Sequence, residues 1–239
     1  VTGLADRLAA RIRASGPIAL SEFMAAALAD PQDGYYMTRD PFGAAGDFTT
    51  APEIAQAFGE LLGLWCAEVW RGLGSPDPVL LVELGPGRGA LMADALRAIA
   101  KMVPAFRVAL TPYLIEISPV LRAAQQAKLE GQGAVWLADP DQLPPGPAIF
   151  LANEFFDALP IEQAIRRQDG WRNRRVGLGE RDRFVFVDAE LLSLARDGEP
   201  GAILERCPLG EAIAASLGRR VALGESAALI IDYGEEGVL

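Results

Sequence analysis

Val79-Leu80-Leu81-Val82-Glu83-Leu84-Gly85-Pro86-Gly87-Arg88-Gly89 carries an apolar strand straight into a glycine turn. The unbroken apolar run at 79–82 predicts a strand buried on both faces. Three glycines alternate through the turn, and the pattern at 90–96 predicts a helix leaving it. Glycine lets backbone approach a ligand closely, because no β-carbon intervenes. A helix that starts there presents unpaired N–H groups beside the turn. Glu83 stands just before the glycines, and an acid at that point suits a cationic or hydroxyl-rich ligand better than a pyrophosphate.

Outward from this turn, residues 76–239 alternate strand and helix patterns. Strands are predicted at 79–84, 112–117, 134–138, 148–153 and 227–232. Helices are predicted at 89–102, 118–129, 154–158 and 208–220. Alternation of this kind, with near-continuous apolar strands, defines an α/β fold with a Rossmann-like parallel sheet covered on both faces. Between the fourth and fifth strands, 161–166, 171–176 and 184–187 read as short antiparallel strands, joined at Asp169-Gly170 and by a charged turn at 180–183.

Residues 1–75 are mostly helical in pattern. Leu4, Leu8 and Ile12 share one face of a first helix that Gly16-Pro17 stops. Ser21 is placed to cap a second helix ending before Asp30-Pro31, and 33–48 form a loop rich in glycine and aromatics. Thr50 reads as the N-cap of a long helix, with Pro52 in its first turn and Glu53 completing a capping box. Ile54, Phe58, Leu61, Leu62, Trp65, Val69 and Trp70 form its expected apolar stripe. The expected organisation is a helical cap at 1–75 and a Rossmann-like domain at 76–239, with a β insertion at about 161–187.

Composition narrows the chemistry. The formal net charge of −10 disfavours general affinity for nucleic acid or anionic membrane. Histidine is absent, which excludes Ser-His-Asp and Cys-His hydrolysis and any His-ligated metal site. No metal site is expected. Cys66 and Cys207 suggest no disulfide framework, so a reducing compartment is expected, and Cys66 reads as a small buried hydrophobe. The first residues lack the apolar run of a signal peptide, and Asp6 does not suit a transit peptide. No run is long enough to span a membrane. The expected location is a bacterial cytoplasm, or the mitochondrial matrix for an organellar homologue.

In an open parallel sheet, ligands bind beyond the carboxyl ends of the strands. The five ends here carry Glu83, then Glu116 with Ser118-Pro119, then Asp139, then Asn153-Glu154, then Asp232-Tyr233-Gly234. One such acid is weak evidence, because Asp and Asn cap helices and form turns. Five around one glycine turn are hard to assign to capping alone. Gly85-x-Gly87-x-x-Ala90 also satisfies the dinucleotide fingerprint, so the turn by itself does not separate NAD from S-adenosylmethionine. Three details favour S-adenosylmethionine, which has a sulfonium, an ammonium and a ribose. Glu83 precedes the turn, Gly89 adds a third alternating glycine, and Glu116 lies farther on than the acid found about 20 residues along in the dinucleotide motif. Glu116 is expected to accept hydrogen bonds from both ribose hydroxyls. Candidate cofactor contacts are Glu83, Gly85, Pro86, Gly87, Gly89, Glu116, Ser118, Asp139 and Asn153.

Methyl transfer from a sulfonium is an in-line displacement that needs alignment and exclusion of water, and no histidine. Glu154 and Asp157, at the end of the fourth strand, are the candidate catalytic pair. Two carboxylates there suit a guanidinium, holding it by paired hydrogen bonds. The alternative is that both acids belong to a capping arrangement around the short helix.

These residues occur in longer strings. Gly46-Asp47-Phe48-Thr49-Thr50-Ala51-Pro52-Glu53, Phe58-Gly59-Glu60-Leu61, the glycine turn, Ile115-Glu116-Ile117-Ser118-Pro119, Ala152-Asn153-Glu154-Phe155-Phe156-Asp157-Ala158-Leu159-Pro160 and Ile231-Asp232-Tyr233-Gly234 follow one another along the chain. In this the chain resembles the MidA-like S-adenosylmethionine-dependent methyltransferases, which include the mitochondrial complex I assembly-factor protein arginine methyltransferases. The resemblance implies a class I methyltransferase fold with a helical cap over S-adenosylmethionine. It implies methylation of an arginine on a respiratory complex I subunit, and it places Gly46, Asp47 and Phe48 near the cofactor. Family members continue beyond the Asp-Tyr-Gly strand with a helix and an antiparallel strand pair. The sequence stops at Leu239, so those strands are expected to be missing and the fifth strand to lie at an edge. Three other functions stay open on the sequence: a small-molecule methyltransferase whose pocket is shaped by 161–187, a non-catalytic complex I assembly factor, and an NAD-dependent oxidoreductase.

Overall fold

The computed structural model describes residues 3–41, 47 and 50–233. In chain order the elements are α1 (Leu4–Ser15), β1 (Ile18–Ala19), α2 (Leu20–Ala29), α3 (Tyr35–Thr38), α4 (Ala51–Ile54), α5 (Gln56–Gly72), β2 (Val79–Leu84), α6 (Ala90–Met102), α7 (Pro104–Ala109), β3 (Leu110–Ile115), α8 (Pro119–Lys128), β4 (Val135–Leu137), β5 (Ala148–Asn153), β6 (Glu162–Arg167), β7 (Gly170–Leu178), β8 (Phe184–Leu192), β9 (Ile203–Arg206), α9 (Pro208–Val221) and β10 (Ser226–Ile231). Short 3₁₀ turns lie at Pro140–Gln142 and Glu180–Asp182.

The chain divides into two compact units, one formed by Val1–Thr38 with Leu159–Glu211 and the other by Arg39–Ala158 with Ala212–Leu239. This differs from the boundary expected near residue 75, and the reason is shared burial. Leu8 and Ile12 of α1 and Leu20 of α2 are buried with Ile18 and Val176 in one cluster, so the first helices use the antiparallel insertion as their core. That sheet runs β1-β7-β6-β9, and β8 also pairs with β7. The β6–β7 hairpin closes at Arg167↔Gly170, where Gly170 has φ 141. β8 is longer than expected, and β9 carried no sequence signal strong enough to predict it.

In the other unit a five-stranded parallel sheet has the order β10-β5-β2-β3-β4. Alternation along β2 and β5 feeds two cores. Val79, Leu81, Ile149 and Leu151 join one cluster with Cys66, Trp70, Leu91, Met92 and Ile99, while Leu80, Val82, Leu84, Phe150 and Ala152 join another with Leu217. Every residue of β2 is buried, as the apolar run demands of a central parallel strand. Cys66 is fully buried, and burial pushes its thiol up to about 12, so it serves as a core hydrophobe. Among the described residues β10 lies at one edge of this sheet and β4 at the other.

Several expected boundaries move for identifiable reasons. Ala19, and not Ser21, holds the N-cap position of α2, and no side chain caps that helix. Thr50 stands at the N-cap of α4 without a side-chain hydrogen bond, so the capping box does not form; Glu53 instead faces Lys128 at 3.9 Å. The expected long helix is broken at Ala55, whose backbone is extended (φ −137, ψ 109), into α4 and α5. Of the expected stripe, Trp70 is buried and Phe58, Leu62, Trp65 and Val69 pack against the core, while Ile54 and Leu61 are exposed at 71% and 66%; the buried face also takes in Gly59, Gly63, Cys66 and Ala67. No helix forms at 154–158: Glu154 takes a left-handed backbone (φ 50), and the segment is a loop held at Phe156 and Asp157 N–H by Asp232. Among the described residues no helix is long and apolar enough to cross a membrane.

Candidate active site

The glycine turn is set by the register of β2 between β3 and β5, and Gly85 N–H donates to Ile115 O at 3.1 Å. Gly85, Gly87 and Gly89 have φ of 61, 52 and 76, a region that disfavours any β-carbon. Gly89 N–H donates to Pro86 O at 2.7 Å and closes the turn. At Gly85 a β-carbon would meet Phe155 Cδ2 at 2.7 Å, so the turn and the 154–158 loop approach closely. α6 then starts at Ala90 with no side chain capping its first N–H groups. Arg88 Nε donates to Asp40 Oδ2 at 2.7 Å, tying the turn to the segment after α3.

Glu83 is 3% exposed, and its Oε2 has no protein hydrogen-bond partner. Burial pushes its carboxyl up to about 8; the Met92 N–H favours the charged form, and the nearby Glu116 opposes it. Glu116 is 8% exposed, with Oε1 accepting Ser118 N–H at 2.7 Å and Oε2 accepting Gln125 Nε2 at 3.0 Å. Burial again raises its carboxyl, against these hydrogen bonds, one from the Ile117 backbone and the charge of Arg122. Ser118 is fully buried, and its hydroxyl accepts Leu121 N–H at 3.2 Å as the N-cap of α8. Its side chain therefore serves the helix, while its N–H serves Glu116.

The third strand end differs. Asp139 is exposed and caps the 3₁₀ turn that follows, its Oδ1 accepting Asp141 N–H at 2.9 Å in a capping box with Gln142. At the fourth and fifth ends, Asn153 closes β5 opposite Ile231 of β10, and Glu154 N–H donates to Ile231 O at 2.8 Å. Asp232 Oδ2 accepts Phe156 N–H at 3.1 Å and Asp157 N–H at 3.2 Å, and its Oδ1 accepts Tyr233 N–H at 2.9 Å. This carboxylate holds the loop that carries Glu154 and Asp157. Burial first, then the charges of Asp157 and Asp232, raise the Glu154 carboxyl, against a hydrogen bond from Tyr233. Burial and Asp232 likewise raise Asp157. Asp47 is exposed, and Gly46 and Phe48 lie outside the described residues.

The structure thus gathers Glu83, Glu116 and the glycine turn at one place, and Glu154, Asp157 and Asp232 at adjoining strand ends. Sequence reasoning passed over Gln125. It is fully buried, its Nε2 donates to Gly87 O at 2.6 Å as well as to Glu116, and its Oε1 accepts Trp136 Nε1–H at 2.9 Å. The available signal was a polar residue one turn after Leu121 on the buried face of an amphipathic helix.

A Rossmann-like sheet with an acid before a glycine turn and a second acid at the next strand end defines a nucleoside-binding α/β protein. The chain belongs to the family described as "Putative S-adenosyl-L-methionine-dependent methyltransferase", whose profile matches residues 61–238. It is 38% identical over 259 residues to "Protein arginine methyltransferase NDUFAF7, mitochondrial" of Danio rerio, covering 96% of this chain and 61% of that protein. The protein of the same name from Homo sapiens is 34% identical over 266 residues, covering 99% and 60%. A Burkholderia thailandensis protein crystallised with S-adenosyl-homocysteine superposes with a TM-score of 0.77 at 27% identity, covering 97% of this chain and 62% of that one. The chain therefore spans about 60% of the length of the curated relatives it matches.

Proposed function

We propose that this chain binds S-adenosylmethionine at the glycine turn and directs its methyl group to a guanidinium nitrogen of a protein arginine. The buried, unpartnered Oε2 of Glu83 is the observation that carries this reading. Buried polar atoms in folded proteins almost always have partners, so an orphan beside a glycine turn marks the place of a ligand donor. The residues fit the group. Glu83 and Glu116 supply acceptors for ammonium and hydroxyl donors, Glu116 with its two oxygens already oriented by Ser118 N–H and Gln125 Nε2. When bound, S-adenosylmethionine supplies an electrophilic methyl group on a sulfonium.

The chain's own part is alignment. Glu154 and Asp157 would accept the N–H groups of the guanidinium and hold one nitrogen towards the methyl carbon. Both carboxyls are raised by burial first and then by neighbouring charge, that of Asp157 and Asp232 at Glu154 and that of Asp232 at Asp157, and an arriving cation offsets that charge. Asp232 keeps their loop in place. Asn153 and Asp47 would line the nucleoside side of the site, with Asp139, whose Oδ1 is taken by its own 3₁₀ turn, at the rim. The names of the relatives favour arginine as acceptor, and the family resemblance favours a respiratory complex I subunit as the protein that bears it. The compartment follows from that partner: bacterial cytoplasm, or mitochondrial matrix in an organellar setting.

Mass spectrometry of complex I subunits incubated with the protein and S-adenosylmethionine tests this. A methyl increment on one arginine is expected. Glu154→Gln should lower transfer roughly a hundredfold or more, the cost of a lost alignment, with donor affinity by calorimetry unchanged. Equal loss of transfer and donor affinity would remove Glu154 from the acceptor side. Partner binding without any methyl increment would replace catalysis by an assembly role.

A further inference from the structure

We infer that Gln125 is the positioning residue of the nucleoside site, fixing Glu116 and the glycine turn together so that a ligand with both ribose hydroxyls is recognised. The inference rests on the donor-binding reading above and deepens it. Gln125 is fully exposed to protein and not at all to solvent. A buried amide is costly unless its hydrogen bonds are made, and here all the strong ones are. Trp136 settles the orientation, since an indole N–H only donates and must face the amide oxygen. The NH₂ group is thereby turned to the opposite side, where its hydrogens reach Gly87 O at 2.6 Å and Glu116 Oε2 at 3.0 Å.

Glu116 is consequently held from two directions, by Gln125 on Oε2 and by Ser118 N–H on Oε1. A carboxylate held in this way meets vicinal hydroxyls without first losing rotamer freedom, which is the entropy that preorganisation removes. The same amide grips the carbonyl of the central glycine of the turn. The stem of Gln125 also sets how near the turn can come, because a β-carbon on Gly89 would stand 3.3 Å from its Cγ. Through one side chain, the ribose-facing acid and the backbone cradle share a single frame. The Ser118 cap fixes the start of α8, and Gln125 follows on its buried face.

A purely structural amide would join α8, β4 and the turn without favouring any part of the ligand. A ligand-by-variant cycle separates the two roles. Calorimetry would compare S-adenosyl-homocysteine with its 2′,3′-dideoxy analogue, on the whole chain and on Gln125→Met. Loss of a hydrogen bond to a charged acceptor predicts S-adenosyl-homocysteine binding weakened by about ten- to a hundredfold. The dideoxy analogue should weaken by less than about threefold, since it never used the positioned carboxylate. Equal weakening of both ligands, or of neither, would overturn the inference. Trp136→Phe provides the same comparison should Gln125→Met fold poorly. It leaves the amide in place but free to turn, and should weaken S-adenosyl-homocysteine several-fold while sparing the analogue; equal effects there would again overturn the inference. Failure of the parent chain to bind S-adenosyl-homocysteine would instead overturn the donor reading itself.

Discussion

Glu83→Gln should make the unliganded protein more stable at pH 8 and, at the same time, weaken its hold on S-adenosylmethionine. The Glu83 carboxyl is buried and raised from 4.5 to about 8. Between those values the folded protein keeps a proton that the unfolded chain has released, so stability falls as pH rises. The contribution is full below the unfolded value and gone once pH passes the folded one. Each pKa unit corresponds to about 1.4 kcal/mol, so the fall across the whole window is on the order of 5 kcal/mol at most. Glutamine resembles the protonated acid in shape and charge, and its oxygen can still accept the Met92 N–H. Urea unfolding should give a variant with little pH dependence from this site. It should match the parent near pH 4 and exceed it by a few kcal/mol at pH 8. Donor affinity should fall about a hundredfold, because an amide replaces a carboxylate opposite a cationic ligand. Parallel pH–stability curves for the two proteins would show that Glu83 is already ionised in the fold. Unchanged donor affinity would show that its orphan oxygen faces no ligand.

A stability cost held at a ligand site is the sort of feature that sequence reveals only in part. The strand, turn and helix from Val79 to Met102 were legible because apolar continuity, alternating glycines and helical spacing agree there. The acids at the strand ends were legible for the same reason: strand ends in a parallel sheet point to one side. Their division of labour was not. Asp139 and Glu116 look alike in the sequence, yet Asp139 turns back on its own 3₁₀ turn while Glu116 is gripped by α8. That difference depends on Gln125 and Trp136, which come from elements with no shared local pattern. The helix expected at 154–158 gives way to a loop, where Glu154 takes a left-handed backbone and Asp232, far along the chain, holds Phe156 and Asp157 by their N–H groups. The joining of α1 and α2 to the antiparallel insertion is also a long-range choice, made by Val176 and invisible to local periodicity.

The α5 stripe shows the limit most clearly, and it leads to the largest expected loss of stability. A search for large apolar residues selected Leu61 and Ile54, which are exposed, and passed over Gly59 and Gly63, which are buried. Those glycines are where α5 crosses α6. A β-carbon on Gly63 would lie 2.6 Å from Ala95 Cα and 2.7 Å from Ala95 O. One on Gly59 would lie 2.7 Å from Asp94 Cβ and 3.0 Å from Leu91 O. At Gly63 the obstacle is backbone, which cannot rotate aside as a side-chain end can, so the helices must separate and open the core around Cys66, Leu91 and Met92. Overpacking of this kind costs about 1–3 kcal/mol or more, and the better helix propensity of alanine returns only about 1. With backbone as the obstacle the cost lies at the upper end, so Gly63→Ala should destabilise by about 1–2 kcal/mol net, and Gly63→Val by more. Gly218→Ala on α9, where a β-carbon would meet nothing within 4 Å, is the matched control and should be neutral or slightly stabilising. The two α5 positions should also differ from each other. Gly59 abuts Leu91 and Asp94 in the first turns of α6, beside the glycine turn, whereas Gly63 abuts Ala95 further along. Gly59→Ala should weaken S-adenosyl-homocysteine binding as well as stability, and Gly63→Ala chiefly stability. Urea unfolding and calorimetry on the four variants would decide it, and a stabilised Gly63→Ala would show that the two helices do not cross at this contact.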